Sequence, residues 1–370
     1  MMRDFYDFLL RIAPLIIGMG IGLVWKLQQF ISAGLLAPNF GVIHQAYKFN
    51  FNLLPIGCMI GALLCIFWAL CFRFVRRLLL EWGCMLCVMA GALFALRYYI
   101  TYVEPEKLVH RFVRLESPKI ESPIRILHIS DIQAGQIEAY QHRIFREIAA
   151  LNVDLILNTG DLLQVLPGRD FKTEWPQLHQ LIAAANPRYG TYAVYGDTER
   201  ELYHYSAQKL APLKFLSSRT ELIETSAGRI SLHGLSLAES RSQKWSQRSI
   251  QNWLQAAEPA PSFRILMGHS PNYALGVGAQ SIDLCLAGHT HGGQFVVPFY
   301  GALVTDSLVP RAWAAGFRKI GIPFLNVSAG AGSNRHQGLP PMRLNCPTEM
   351  TIIDLVPVGH ASTLGVLEQP

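Results

Sequence analysis

Gly288-His289-Thr290-His291-Gly292-Gly293-Gln294 sets two imidazoles one residue apart, just after the apolar run Ile282-Asp283-Leu284-Cys285-Leu286. A short apolar run bounded by turn residues reads as a strand in a sheet core, so both histidines stand at a strand's carboxyl end. Ile126-Leu127-His128-Ile129 leads in the same way into Ser130-Asp131-Ile132-Gln133. Three further runs end in Gly160-Asp161, Gly196-Asp197-Thr198-Glu199 and Gly268-His269. A single Gly-Asp after a strand is an ordinary turn. Five strand ends in series that finish in Asp or His are not explained by turn chemistry. In an α/β sheet such ends face one crevice, and mixed carboxylate and imidazole donors suit Mn, Fe, Zn or Co. The pattern points to a metal enzyme.

The order Asp-x-His, Gly-Asp, Gly-Asn-His-Asp/Glu, Gly-His, Gly-His-x-His belongs to the calcineurin-like metallophosphoesterases, which this chain resembles over residues 108–356. It is similar in particular to the membrane-attached bacterial branch that includes YaeI- and YkuE-like proteins and the UDP-diacylglucosamine pyrophosphatases. Val327-Ser328-Ala329-Gly330-Ala331-Gly332, Arg343-Leu344-Asn345 and Pro347-Thr348-Glu349 share in that likeness. The resemblance implies an α/β fold, a two-sheet αββα sandwich, preceded here by apolar helices. It also implies two divalent metal ions. One is expected on Asp131, Asp161 and His291 with Gln133, the other on Asp161, Asp197, His269 and His289, with Asp161 as the bridge. Asp161, Asp197 and Thr198 are the expected catalytic positions. Two cations about 3.5–4 Å apart activate a shared hydroxide for in-line attack at phosphorus.

Two departures from the family pattern bear on the chemistry. Gln133 stands where the pattern has the second His of Asp-x-His, and Asp197-Thr198 stands where it has Asn-His. A neutral carbonyl oxygen in place of an imidazole favours harder ions, which makes Mn the expected metal ahead of Fe, Zn or Mg. Thr198 lacks the imidazole that family members direct toward the phosphate or leaving group. General acid help is typically worth roughly 10²–10⁴, so the expected substrates carry good leaving groups, such as pyrophosphates.

Of 370 residues, 51% are hydrophobic, and the excess lies at the front. Residues 51–71 are uncharged and long enough to cross hydrocarbon, and 78–100 are nearly so. Residues 5–25 read as a third span, with Arg11 near one end, and 30–43 as a fourth span or an interfacial segment. No small-residue cleavage site follows the first, so a removed signal peptide is not expected. The expected organisation is a multi-span anchor over 1–100, a connector with the first strand over 101–124, the phosphoesterase domain over 125–356 and a tail over 357–370. Arg73, Arg76 and Arg77 between two spans favour a cytoplasmic loop. That orientation puts the catalytic domain outside the inner (plasma) membrane; Lys48, Lys107 and Arg111 pull toward the cytoplasmic face.

Within the domain, 141–151 and 248–257 have helical apolar spacing, while 229–235, 295–298, 324–328 and 350–356 read as strands. Five cysteines lie in the apolar region, leaving Cys285 and Cys346, so no disulfide framework is expected. The formal charge is +6 without a basic stripe interleaved with aromatics, so nucleic acid is not an expected partner. Arg200, Arg311 and Arg335 are candidates to hold a phosphate; His128, His233 and His336 are given no role. The expected partners are the bilayer and a phosphate-bearing, lipid-linked substrate. A phosphodiesterase for a soluble nucleotide, or a non-catalytic metal or phosphate sensor, are the alternatives that Gln133 and Thr198 keep open.

Overall fold

The computed structural model describes residues 47–256, 262–335 and 339–360, with Gly18, Gly22, Phe40 and Gly41 besides. The span expected at 5–25, most of 30–43, His336 and the tail beyond 360 lie outside the described residues. The chain divides into two units, 1–100 and 101–370.

In the first unit, α1 (Leu54–Cys71) and α2 (Arg76–Tyr98) pack against each other. Their buried positions are small: Pro55, Cys58, Ala62 and Ala69 in α1 with Gly83 and Ala90 in α2. A Cβ on Gly83 would come within 3.4 Å of the Ala62 carbonyl oxygen and of Cys65 Cβ, so the backbones meet where side chains are least. The large side chains point outward, with Leu63 65%, Val88 67% and Leu70 72% exposed. Soluble helices bury their large apolar groups, whereas helices in lipid pack through small residues. Lys48–Cys71 and Arg76–Glu106 are each long and apolar enough to cross a membrane, by length and composition.

In the second unit the strands β1 (Leu108–Glu116), β2 (Ile124–Ile129), β3 (Leu155–Asn158), β4 (Thr191–Val194) and β5 (Leu213–Leu216) belong to a first sheet. A second sheet holds β6 (Arg219–Thr225), β7 (Gly228–Gly234), β8 (Phe263–Met267) and β9 (Leu284–Ala287). After the small hairpin β10 (Val296–Val297) and β11 (Gly301–Ala302), the chain adds β12 (Gly316–Lys319) and β13 (Phe324–Val327) to the second sheet. It then returns as β14 (Thr348–Val356) to the first. The orders are β1-β14-β2-β3-β4-β5 and β12-β13-β9-β8-β7-β6. Strands β2 to β5 run parallel, as do β7, β8, β9 and β13, so within each sheet the carboxyl ends share one edge.

Period-two alternation divides each strand's side chains between two cores. Ile124 and Ile126 of β2 face the second sheet's Ile230, Ile265 and Leu284. Leu127 and Ile129 face α3 (Ala139–Ala150) and α4 (Phe171–Ala185). Beyond α5 (Ala207–Leu210) and α6 (Leu237–Arg241), α7 (Gln243–Gln255) buries Ile250 and Trp253 on the outer side of the second sheet. The result is helix, sheet, sheet, helix. Helix α4 was not foreseen, because Pro176 lies within it and a proline costs an interior helix about 3 kcal/mol. Trp175, Leu178 and Ile182, all buried at helical spacing, outweigh it.

Candidate metal centre

Each site residue sits on the turn that ends a strand, and the turns are sewn together. Asp131 N donates to the Gly160 carbonyl (2.9 Å) and Gln133 N to that of Asp161 (2.9 Å), so the turns after β2 and β3 run side by side. The turn after β8 receives Gly288 N on the His269 carbonyl at 2.9 Å. The string 327–332 joins the sheets: Ser328 N donates to Ala287 O, and Ala331 N to Ser130 O. Asp131, Gln133, Asp161, His289 and His291 all have left-handed backbone, at φ 51°, 37°, 59°, 70° and 51°. Such values are uncommon for residues other than glycine, and their clustering here is the kind of strain found at functional sites. Packing explains the glycines before the ligands. A Cβ on Gly196 would fall 2.3 Å from Asp161 Oδ1, and one on Gly288 2.3 Å from Asp131 Oδ2.

The side chains converge in two groups. Donor atoms of Asp197, His269 and His289 lie within 4.8 Å of one another, as do those of Asp131, Asp161 and His269. Asp197 Oδ2 is 3.2 Å from His289 Nδ1 and 3.5 Å from His269 Nε2. His269 Nε2 is 3.6 Å from Asp161 Oδ2, and His291 Nε2 is 3.3 Å from Asp131 Oδ1. All except Asp197 are buried.

The imidazoles are set for ligation. His269 Nδ1 lies 2.7 Å from the Thr159 carbonyl oxygen and His289 Nε2 lies 3.1 Å from that of Asp306. Each carbonyl accepts from one ring nitrogen and turns the other toward the acids, the arrangement that orients metal-binding histidines. Gln133 Nε2 donates to Asp161 Oδ2 at 2.7 Å, while its buried Oε1 has no hydrogen-bond partner among the described residues.

Charge is crowded here. Burial pushes Asp131 up to about 6 despite His269 nearby. Burial also opposes charge on His269, but Asp161, Asp197 and Asp131 outweigh it and raise that imidazole to about 10. Burial pushes Asp197 upward too, yet its bonds to His269 and His289 hold it below the usual carboxylate range. His291 is driven well down by burial, with Arg343, His289 and His269 adding to the effect. Carboxylates gathered around three imidazoles form a donor set that divalent cations fit.

Residues 124–293 match the family described as calcineurin-like phosphoesterase. The chain carries a calcineurin-like metallophosphoesterase domain. The chain is 26% identical over 279 residues to phosphodiesterase YaeI of Escherichia coli K12, covering 70% of this chain and 92% of that one. To the uncharacterized metallophosphoesterase YkoQ of Bacillus subtilis it is 28% identical over 186 residues, 47% of this chain and 63% of that one. To the uncharacterized metallophosphoesterase YkuE of the same species it is 34% identical over 93 residues, 25% of this chain and 31% of that one. The family is one of dinuclear-metal phosphoester hydrolases.

The remaining expected residues of the phosphoesterase domain are scattered. Thr198 gives its N–H to Asp161 Oδ1 (3.1 Å) and its hydroxyl to Glu199 Oε1 (3.3 Å). Arg335 lies beside the Asp131 turn, its Nη1 2.8 Å from where a Cβ on Gly135 would stand. Arg311 instead stacks on the Tyr300 ring at 4.2 Å, and Arg200 is exposed in the short helical stretch Arg200–His204.

Four supporting residues had no assigned role in the sequence. Buried Glu199, pushed up to about 7 by burial and by Asp161, accepts from Leu162 N (2.5 Å) and Gly196 N (2.6 Å) and so pins two ligand turns together. Fully buried Arg343 donates to the carbonyls of Ala329, Gly332 and His291. Asn272 takes Ser307 Oγ and Leu308 N on its Oδ1, and gives its amide to the Arg241 carbonyl. Arg241 itself bonds Asp197 Oδ1 at 2.5 Å. Glu199 ends the Gly-x-x-Glu string, and that position was its available signal.

Proposed function

We propose that this chain is a membrane-anchored, dinuclear-metal phosphoesterase that hydrolyses a lipid-linked phosphoester or pyrophosphate. The observation that carries the catalytic part is the pair of imidazoles, His269 and His289, each fixed by a backbone carbonyl through one nitrogen and facing Asp197 with the other. Asp131, Gln133, Asp161 and His291 would hold one cation, and Asp161, Asp197, His269 and His289 the other. Bound there, divalent cations lower the pKa of the attacking water and offset charge developing on the phosphate. Gln133 sets the hardness of the first site and makes Mn the metal of choice.

The protein's own groups do the rest. Asp161 keeps the two ligand sets at a fixed spacing through its bonds from Asp197 N, Thr198 N and Gln133 Nε2. Glu199 holds the Gly160 and Gly196 turns in register. With threonine at 198, the leaving group departs with little proton assistance, which suits a pyrophosphate.

Helices α1 and α2 support the anchor, since their large apolar side chains face outward and their small ones inward. An anchor meets a bilayer-held substrate at high effective concentration. The reading extends to a multi-pass protein of the inner membrane with the boundaries 1–100, 101–124, 125–356 and 357–370, and with the catalytic domain outside. The likeness to YaeI, named a phosphodiesterase, favours a soluble diester as the second reading.

The test is turnover by the detergent-solubilised, Mn-loaded protein on lipid pyrophosphates, nucleotides and a chromogenic phosphodiester. Highest kcat/KM on a lipid pyrophosphate is expected. Preference for a nucleotide or simple diester would transfer the assignment to the second reading, and two bound metals without turnover would establish a sensor.

A further inference from the structure

The family pattern has Asn-His where this chain has Asp197-Thr198, and the structure supplies an arginine at that point. Asp197 divides its oxygens: Oδ2 faces His269 and His289, while Oδ1 accepts from Arg241 Nη2 at 2.5 Å. An Asn amide nitrogen at Oδ1 would meet the guanidinium donor to donor. The aspartate is thus matched to the arginine, whose charge offsets the one that Asp adds.

Arg241 is also held in register with the metal-facing histidines. It ends α6, whose first turn is closed by Ser236 and Glu239 in a reciprocal cap. Ser270, next to His269, donates its N–H to Ser240 Oγ at 3.2 Å. Asn272 gives its amide to the Arg241 carbonyl, and its Oδ1 gathers Ser307 and Leu308. That loop also contains the Asp306 carbonyl that orients His289. One asparagine therefore fixes Arg241 and the loop behind His289 together.

A guanidinium has five N–H donors. Beyond its bond to Asp197, the Arg241 side chain makes no other hydrogen bond among the described residues, and it is 46% exposed. We infer that Arg241 is a substrate-binding residue: it grips a phosphate oxygen at the Asp197 edge of the site, in place of the imidazole absent at position 198. A planar fork suits a phosphate. It cannot donate a proton to a leaving group, so the exchange keeps phosphate binding and gives up general acid help. The inference rests on phosphoester hydrolysis and not on a lipid-linked substrate.

Inorganic phosphate is the probe, titrated calorimetrically into the full-length Mn-loaded protein and used as a competitive inhibitor of a chromogenic diester. Arg241→Gln should keep two Mn per chain by elemental analysis. It should weaken phosphate at least tenfold and raise KM more than it lowers kcat, as expected from losing a charge-assisted bond. Arg241→Lys should fall in between, because it keeps the charge and loses the fork. Unchanged phosphate affinity in Arg241→Gln would overturn the inference. A loss of Mn in both variants would also overturn it, by making Arg241 a support for Asp197 alone. Because the probe is inorganic, failure on every lipid substrate would leave this result standing.

Discussion

Asp131, Gln133 and Asp161 are placed by main-chain hydrogen bonds between adjacent turns, whereas His269 and His289 are aimed by their own ring N–H groups onto backbone carbonyls. The first rim concentrates buried carboxylates; the second supplies imidazole donors. The contrast teaches where stability and function conflict. An ionised carboxylate on the first rim is costly to bury, even though Asp131 and Asp161 accept hydrogen bonds from neighbouring turns. A histidine on the second serves both, since it bonds the scaffold with one nitrogen and the site with the other.

That contrast can be broken most severely at the histidines. His289→Ala should lower turnover by a factor on the order of 10³ or more, because metal ions contribute several kcal/mol to the transition state. It should also lower the melting temperature of the metal-free protein, since the Asp306 loop loses its bond. A mutant as stable as the parent would contradict the double role of the second rim.

The first rim should behave oppositely. Asp131 has its pKa raised to about 6 from an ordinary 3.8, mainly by burial. A raised carboxylate pKa means the folded state holds the proton more tightly, so the ionised form destabilises the fold above pH 6. Asp131→Asn should therefore abolish activity yet stabilise the metal-free protein at pH 7.5, by up to roughly 3 kcal/mol. The gain should shrink as pH falls through 6 toward 4. Denaturant unfolding in chelator at both pH values checks this, and a destabilised variant at pH 7.5 would refute it.

Smaller effects sharpen the account of Gln133 and Thr198. Thr198→His should accelerate alkyl esters by roughly tenfold or more while changing pyrophosphates little, since only poor leaving groups need a proton. Equal acceleration of both would show that position 198 does not act on the leaving group. Gln133→His should shift selectivity from Mn toward Zn or Fe, read by competition between metals. Unchanged selectivity would place Gln133 outside the metal's contacts.

The sandwich was legible because buried parallel strands are continuous apolar runs, and because β4 and β9 lead into Gly196 and Gly288, where a side chain would strike the Asp161 and Asp131 carboxylates. Helix 141–151 and strand 350–356 were legible from periodicity and lie within one or two residues of Ala139–Ala150 and Thr348–Val356. Edge strands such as β6 and β12 were harder to read. Their side chains alternate with partly exposed positions, as in Arg219-Thr220-Glu221-Leu222, and give no apolar run. At the site the ligand types stood out in sequence. Arg241, Asn272 and Glu199 did not, because a lone arginine or asparagine in a polar stretch has no period, and only the fold brings it to Asp197 or His289. Arg311 shows the reverse: near the motif in sequence, it spends its charge on Tyr300.

In the proposed function Asp161 joins the two rims into one two-metal centre. Elemental analysis of the Mn-reconstituted protein should give two ions per chain, and Asp161→Asn should give fewer than one, with both sites weakened together. Two ions retained by Asp161→Asn, or loss confined to a single site, would contradict it.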